Sequence, residues 1–158
     1  MSTSSSGKAS RGLFTSFFVG EDGTQYFIKP LEFAGNEKNA EMHIDFTLRY
    51  RDNVSGESRL NSSIYTTDLI KEVDSIRFSN SSFSVTTQKA ELMFNQRKSQ
   101  NIESRHEVYL ELADLKALFG TPDWEISVHY GGKERVFKAE KRTRKKISAL
   151  NHDIFELF

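Results

Sequence analysis

One stretch of this sequence places three ionisable side chains at a spacing of two residues. Glu41, His43 and Asp45 alternate with apolar residues in the segment Ala40 to Arg51. Only a β-strand has a period of two, so the three side chains share one face, about 6.5–7 Å apart. An imidazole between two carboxylates suits acid–base catalysis or metal binding, and a hydrolytic enzyme is one hypothesis. A solvent-exposed strand face with mixed charges is the plainer interpretation, and we favour it.

A second possible carboxylate pair occurs later in the chain. Glu107 and Glu111 flank Tyr109 at the same alternating spacing, and two carboxylates of this kind could act as a glycosidase acid and base. The outer face of one strand is the commoner explanation for such a pair, and we favour it. None of the four histidines has a second histidine two or four residues away, and no glycine-rich phosphate loop is present. We therefore expect no cofactor and no metal site, and an enzyme is the less favoured class.

Positive charge is concentrated in the segment 138–146, where most residues are basic. These are Lys138, Lys141, Arg142, Arg144, Lys145 and Lys146. Such a cluster can neutralise phosphates. A nucleic-acid-binding module that uses the five basic residues between positions 141 and 146 is therefore an alternative function. Aromatic residues are not interleaved with the cations, however, and no base-stacking platform is present. A solvated connector would have the same composition.

The chain ends in a segment with helical periodicity. Five apolar residues recur at spacings of three, four and seven: Ile147, Leu150, Ile154, Phe155 and Phe158. This pattern predicts an amphipathic helix over 143–158. The helix either packs on its own sheet or presents Ile154, Phe155 and Phe158 to a protein partner or a second copy.

Composition predicts a single domain built mainly from strands. The chain has 158 residues, 13 Phe, 2 Pro and no net charge, which suits a sheet core and offers no overall field for polyanions. We expect a disordered tail over 1–11 and one domain over 12–158. The architecture predicted is an antiparallel β-sandwich, with a flattened barrel as the alternative, short helical inserts and the C-terminal helix.

Local sequence patterns predict several individual elements. Alternating residues about Gly131-Gly132 predict a hairpin over 124–139, in which Ile126 faces Phe137. Short helices are predicted over 67–73 and 114–119, with Asp114 as the N-cap of the second. Residues 31–39 and 97–104 are expected to be connections, because Pro30 should end the preceding strand and 97–104 is polar. Residues 88–96 fit either a helix or a buried strand, and we favour the buried strand because the neighbouring elements are strands.

The function we expect first is a non-enzymatic module that makes protein–protein contacts, through a strand edge or the C-terminal helix, including possible homo-oligomers. Nucleic-acid binding is second and hydrolysis third. No secretory leader or membrane-spanning stretch is evident, so no membrane partner is expected. The lack of cysteine fits a reducing compartment, and the expected location is the cytoplasm.

Overall fold

The fold is one curled antiparallel sheet, a half-barrel, accompanied by two helices. The structure is a computed structural model, and it describes residues 3–4, 12–18, 20–50 and 56–158. The strands are β1 (Thr3–Ser4), β2 (Phe14–Phe18), β3 (Thr24–Gly35), β4 (Glu41–Tyr50), β5 (Glu57–Thr66), β6 (Ser75–Ser79), β7 (Ser84–Thr86), β8 (Glu91–Lys98), β9 (Asn101–Glu111), β10 (Glu125–Tyr130) and β11 (Lys133–Lys138). The helices are α1 (Leu112–Phe119) and α2 (Lys141–Asp153), with 3-10 turns at Gly20–Asp22 and Phe155–Leu157. The mainly-β class is confirmed, whereas neither a sandwich nor a flattened barrel is.

Strand β3 organises the sheet, because it pairs with three other strands. The order is β7-β6-β10-β11-β3-β4-β5-β9-β8, and β2 with β1 joins the first half of β3. Between Ile28 and Leu31 a bulge shifts the register, and Pro30 lies in it. The prediction that the strand ends before Pro30 is wrong, because a bulge tolerates a residue that cannot donate to the ladder. Such a bulge also bends the strand.

Strand β4 confirms the alternating pattern seen in the sequence. Its inner residues Met42, Ile44, Phe46 and Leu48 are buried. Strand β5 pairs with it antiparallel along its length. Arg51, at the end of the segment singled out in the sequence, lies outside the described residues.

The hairpin β10–β11 has the register predicted from sequence. Ile126 faces Phe137, and His129 faces Glu134, with 2.9 Å between His129 Nε2 and Glu134 Oε2. Gly131 and Gly132 adopt φ angles of 53° and 74°, which the two-residue turn requires and glycine allows.

Helix α1 and the 3-10 turn after α2 pack together against the inner face of the sheet through aromatic side chains, whereas α2 contributes Ile147 and Leu150. Phe119 of α1 lies 5.7 Å from Phe46 and 4.8 Å from Trp124, between ring centroids. It also stacks on Phe155 at 4.2 Å. The N-cap of α1 is Glu111, not Asp114 as predicted, because the helix begins at Leu112 directly after β9. Within the described residues, neither helix combines the length and apolar character that a membrane span needs.

Two further sequence predictions are wrong. Residues 67–73 form no helix, because Asp68 accepts a hydrogen bond from Arg135 Nη2 at 2.8 Å and the backbone N–H of Ile70 donates to Ser104 Oγ. Residues 97–104 are not a loop, because β8 and β9 meet there in a tight hairpin about Ser99 and Gln100.

The predicted N-terminal tail is described only in part. Thr3 and Ser4 pair with Phe18 and Phe17 of β2. The remainder of 1–11 lies outside the described residues.

Packing of the chain end on its own domain can be tested by truncating neighbouring side chains. Phe155 is fully buried, whereas Leu157 is 66% exposed. We expect Phe155→Ala to lower the free energy of unfolding by about 3–5 kcal/mol, because it opens a cavity against Phe119. The matched Leu157→Ala should cost less than about 1 kcal/mol. Urea denaturation followed by tryptophan fluorescence measures both, and equal destabilisation by the two variants would contradict this packing.

Candidate functional site

The outer face of strands β3, β4, β5 and β9 is the most polar surface that the sheet organises. Residues that alternate with the buried core point outward, and cross-strand register brings them side by side. We call this set the outer polar face; it contains Glu32, Glu41, His43, Asp45, Arg59, Asn61, Ser63, Tyr65, Glu103, Arg105, Glu107 and Tyr109.

His43 lies among carboxylates but forms no close pair with them. Its Nε2 atom is 3.6 Å from Glu41 Oε2 and 3.9 Å from Glu32 Oε1. The ring packs against Tyr65, with 4.8 Å between centroids. Both distances to the carboxylates exceed a hydrogen bond, so no general-base arrangement is formed.

Asp45 is held by side chains of two other strands, β5 and β9. Arg105 Nη2 donates to its Oδ2 at 2.8 Å, and Asn61 Nδ2 donates to its Oδ1 at 3.1 Å. Arg105 Nη1 also donates to Ser63 Oγ at 2.8 Å. The carboxylate is therefore fully engaged with cross-strand partners rather than with His43, two residues away.

Sequence reasoning missed Arg105 because residues 97–104 were assigned to a loop. Alternation through Glu103, Arg105, Glu107 and Tyr109 was the available signal, since it continues the spacing of Glu107, Tyr109 and Glu111 toward the N-terminal side. Only the pairing of β5 with β9 brings Arg105 within reach of Asp45.

Glu103 is a buried carboxylate at the end of the outer polar face. Burial by itself would raise its pKa, but hydrogen bonds outweigh that effect and hold the pKa below its usual value. Gln96 Nε2 donates to it at 2.7 Å, and Tyr65 Oη donates at 3.2 Å. Burial and the neighbouring Glu103 together raise the pKa of Tyr65.

The second carboxylate pair, Glu107 and Glu111, also forms no catalytic arrangement. Tyr109 Oη donates to Glu107 Oε1 at 2.5 Å, and Arg59 Nε lies 3.7 Å from Glu107 Oε2. Glu111 is the residue before α1 and serves as its N-cap position. Across the ranges that the structure describes, no group of three or more His, Asp or Glu side chains is placed to hold a metal ion.

His106 is the one histidine that lies in the core. It faces Ser62 across the inner side of β5 and β9, and both residues are fully buried. The backbones of Lys71 and Ser104 lie beside the ring, but neither ring nitrogen attains hydrogen-bond geometry. Burial lowers the pKa of His106, because a charged imidazole would lose its hydration there.

The predicted basic cluster lies on the outer side of α2. Lys141, Arg142, Arg144 and Lys145 are exposed, and Lys146 is half-buried. Thr143 is buried and donates from Oγ1 to the Glu32 carbonyl of β3 at 2.6 Å, which turns the cations outward. Lys138 precedes the helix on β11.

The predicted apolar contact residues of the chain end lie inside the protein. Ile154 and Phe155 are fully buried, and Phe158 stacks on Tyr50 with 4.0 Å between ring centroids. Ile154 and Phe155 are thus covered by their own domain, whereas Phe158 is only partly buried.

Strand β8 is exposed, so the prediction of a buried strand over residues 88–96 is wrong. All eight of its side chains are exposed, including Leu92, Met93 and Phe94. It pairs with β9 along one side, and within the described residues no strand covers its other side. An open edge with apolar side chains is a structure that adds strands readily.

The buried imidazole makes stability depend on pH. The pKa of His106 lies below its usual value of 6.5 in the folded protein, so the unfolded chain binds the proton first as the pH falls. We expect the free energy of unfolding to decrease between about pH 8 and pH 5, by at most about 1.4 kcal/mol per pH unit from this group.

Urea denaturation across that range is the measurement, with His106→Leu and His152→Gln as the compared variants. His106→Leu should lose this part of the slope, whereas His152→Gln alters an exposed imidazole and should keep it. Identical slopes in His106→Leu and the unmodified chain would refute the assignment.

These geometric observations stand without support from relatives. No protein family, curated protein or solved structure matches this chain. Function must therefore be argued from its own residues.

Proposed function

We propose that this chain is a non-enzymatic binding or assembly module that makes protein–protein contacts by strand addition at β8. The observation that carries the proposal is the open edge of β8, where Leu92, Met93 and Phe94 are 36%, 51% and 43% exposed. Backbone groups along such an edge pair with an added strand, and exposed side chains select it.

The other candidate surfaces support this proposal indirectly, because their functional groups already contact other residues of the protein. Asp45 and Glu107 are held by neighbouring side chains, so a hydrolytic role has the weakest support. Ile154 and Phe155 of the C-terminal segment are used by the core. For the cellular location we retain the cytoplasm as a proposal, because the sequence contains no cysteine.

Strand addition can be tested with linear peptides selected on the immobilised chain from a displayed library. We expect the selected peptides to bind in an extended conformation and to protect the β8 amides from hydrogen exchange. Phe94→Lys should weaken their binding about tenfold or more, because a lysine on an edge strand disfavours pairing.

Leu157→Lys is the matched control, since Leu157 is an exposed apolar residue away from β8. It should bind the peptides like the unmodified chain. If Phe94→Lys binds as tightly as the control, or if the protected amides lie outside β8, strand addition at this edge is wrong.

Nucleic-acid binding through α2 is a second candidate, because one observation favours it specifically. The first turn of α2 contains cations and no acidic residue, against the helix dipole. Like charges also repeat four residues apart, at Lys141 with Lys145 and Arg142 with Lys146. Such repulsion destabilises a free helix, and a bound polyanion would relieve it.

Fluorescence anisotropy with a labelled single strand and a labelled duplex tests this candidate at two salt concentrations. In the triple variant Lys141→Ala, Arg142→Ala, Lys145→Ala, the slope of log affinity against log salt should fall by up to about 0.7–0.9 for each phosphate that is no longer neutralised. The control replaces three other exposed lysines by alanine, namely Lys71, Lys89 and Lys133. Equal slopes for both triple variants would exclude α2 as the interface.

A further inference from the structure

We infer that the strand which β8 accepts is β8 of a second copy, paired antiparallel about Asn95. This inference rests on the proposed function, since it names the partner for strand addition at the same edge. It commits to one register and one symmetry, which the following observations support.

The ladder with β9 defines seven successive positions along β8. They lie opposite residues 107 to 101 of β9, and Asn95 is the fourth, opposite Ser104. In order, the positions hold Glu91, Leu92 with the extra residue Met93, Phe94, Asn95, Gln96, Arg97 and Lys98. The central residue therefore has three positions on each side.

A two-fold axis through Asn95 pairs the first position with the seventh. Glu91 then faces Lys98 of the second copy, and Phe94 faces Gln96 of the second copy. The bulge is essential here, because it inserts one residue and so brings Glu91 and Lys98, seven residues apart, onto the same face of the sheet. Directly opposite residues share a face, so this register is geometrically allowed.

Charge complementarity supports the same register. Glu91 lies opposite Glu107 of β9, and like charges directly opposite each other are unfavourable. Over the described part of the chain, neither Glu91 nor Lys98 forms a salt bridge, although Lys98 interacts electrostatically with Glu103 at longer range. Pairing with a second copy places a cation opposite each Glu91 and an anion opposite each Lys98. The dimer then contains two symmetric Glu91–Lys98 pairs.

The exposed aromatic side chain is also covered by this arrangement. Phe94 and its equivalent in the second copy become diagonal neighbours, about 7–8 Å apart, a distance that aromatic side chains bridge. The interface uses the same strand on both chains, as a two-fold dimer requires.

Other pairings of this edge are disfavoured by the same residues. A parallel arrangement in register would bring Arg97 and Lys98 beside the same cations of the second copy. Cations and bulges are the usual means by which edge strands avoid indiscriminate pairing. In the two-fold register, by contrast, both cations meet the acidic and apolar half of the partner strand.

Sedimentation equilibrium on the full chain over a wide concentration range tests the proposal. We expect the unmodified chain to dimerise, and Glu91→Lys or Lys98→Glu alone to weaken the dimer roughly tenfold, because two attractive pairs become repulsive. An equimolar mixture of the two single variants should recover dimers of the original strength, since every facing pair is then opposite in sign. The double variant Glu91→Lys, Lys98→Glu should recover them as well.

Two control variants, Glu125→Lys on β10 and Lys133→Glu on β11, reverse exposed charges away from β8 and should leave the dimer unchanged. A monomeric unmodified chain would overturn the inference, as would a dimer that is insensitive to both single variants or is not recovered in the mixture. Peptide protection of β8 in such a case would leave strand addition standing with a different partner. Failure of both the dimer and the peptide experiments would remove the proposed function too.

Discussion

The contact between Phe46 in the sheet and Phe119 on α1 is the interaction on which the rest of this structure depends. A single curled sheet buries one face only if something covers it, and here the chain supplies its own cover. Trp124 and Phe155 complete the aromatic cluster around these two rings. Because both helical elements contribute to it, the cluster fixes where the chain end lies.

That placement decides which surfaces of α2 are available. Ile147 and Leu150 point into the core, and Thr143 is tied to the Glu32 carbonyl of β3. The cations are consequently turned outward, where water solvates them and a polyanion could reach them. An amphipathic helix that could have served a partner instead closes its own domain.

The open edge and the outer polar face differ in how completely their groups are satisfied. Across β4, β5 and β9, Arg105 joins Asp45 and Ser63 into one network, so the Asp45 carboxylate has its partners within the sheet. Strand β8 has a neighbour on one side only, and its side chains remain exposed. A surface with unmet pairing capacity is the better candidate for binding than one whose groups already bind each other.

The sequence by itself determined the elements whose pattern is local. Period two along β4, the Gly131-Gly132 turn with its register, and helical spacing after Thr143 are all properties of neighbouring residues. Tertiary structure alone decided how β3 passes Pro30, why 67–73 is not helical, and which strand ends the sheet. Those features depend on pairing between residues distant in the chain. Alternation of apolar and polar residues indicates which face of a strand is buried, but it does not indicate which strand lies beside it.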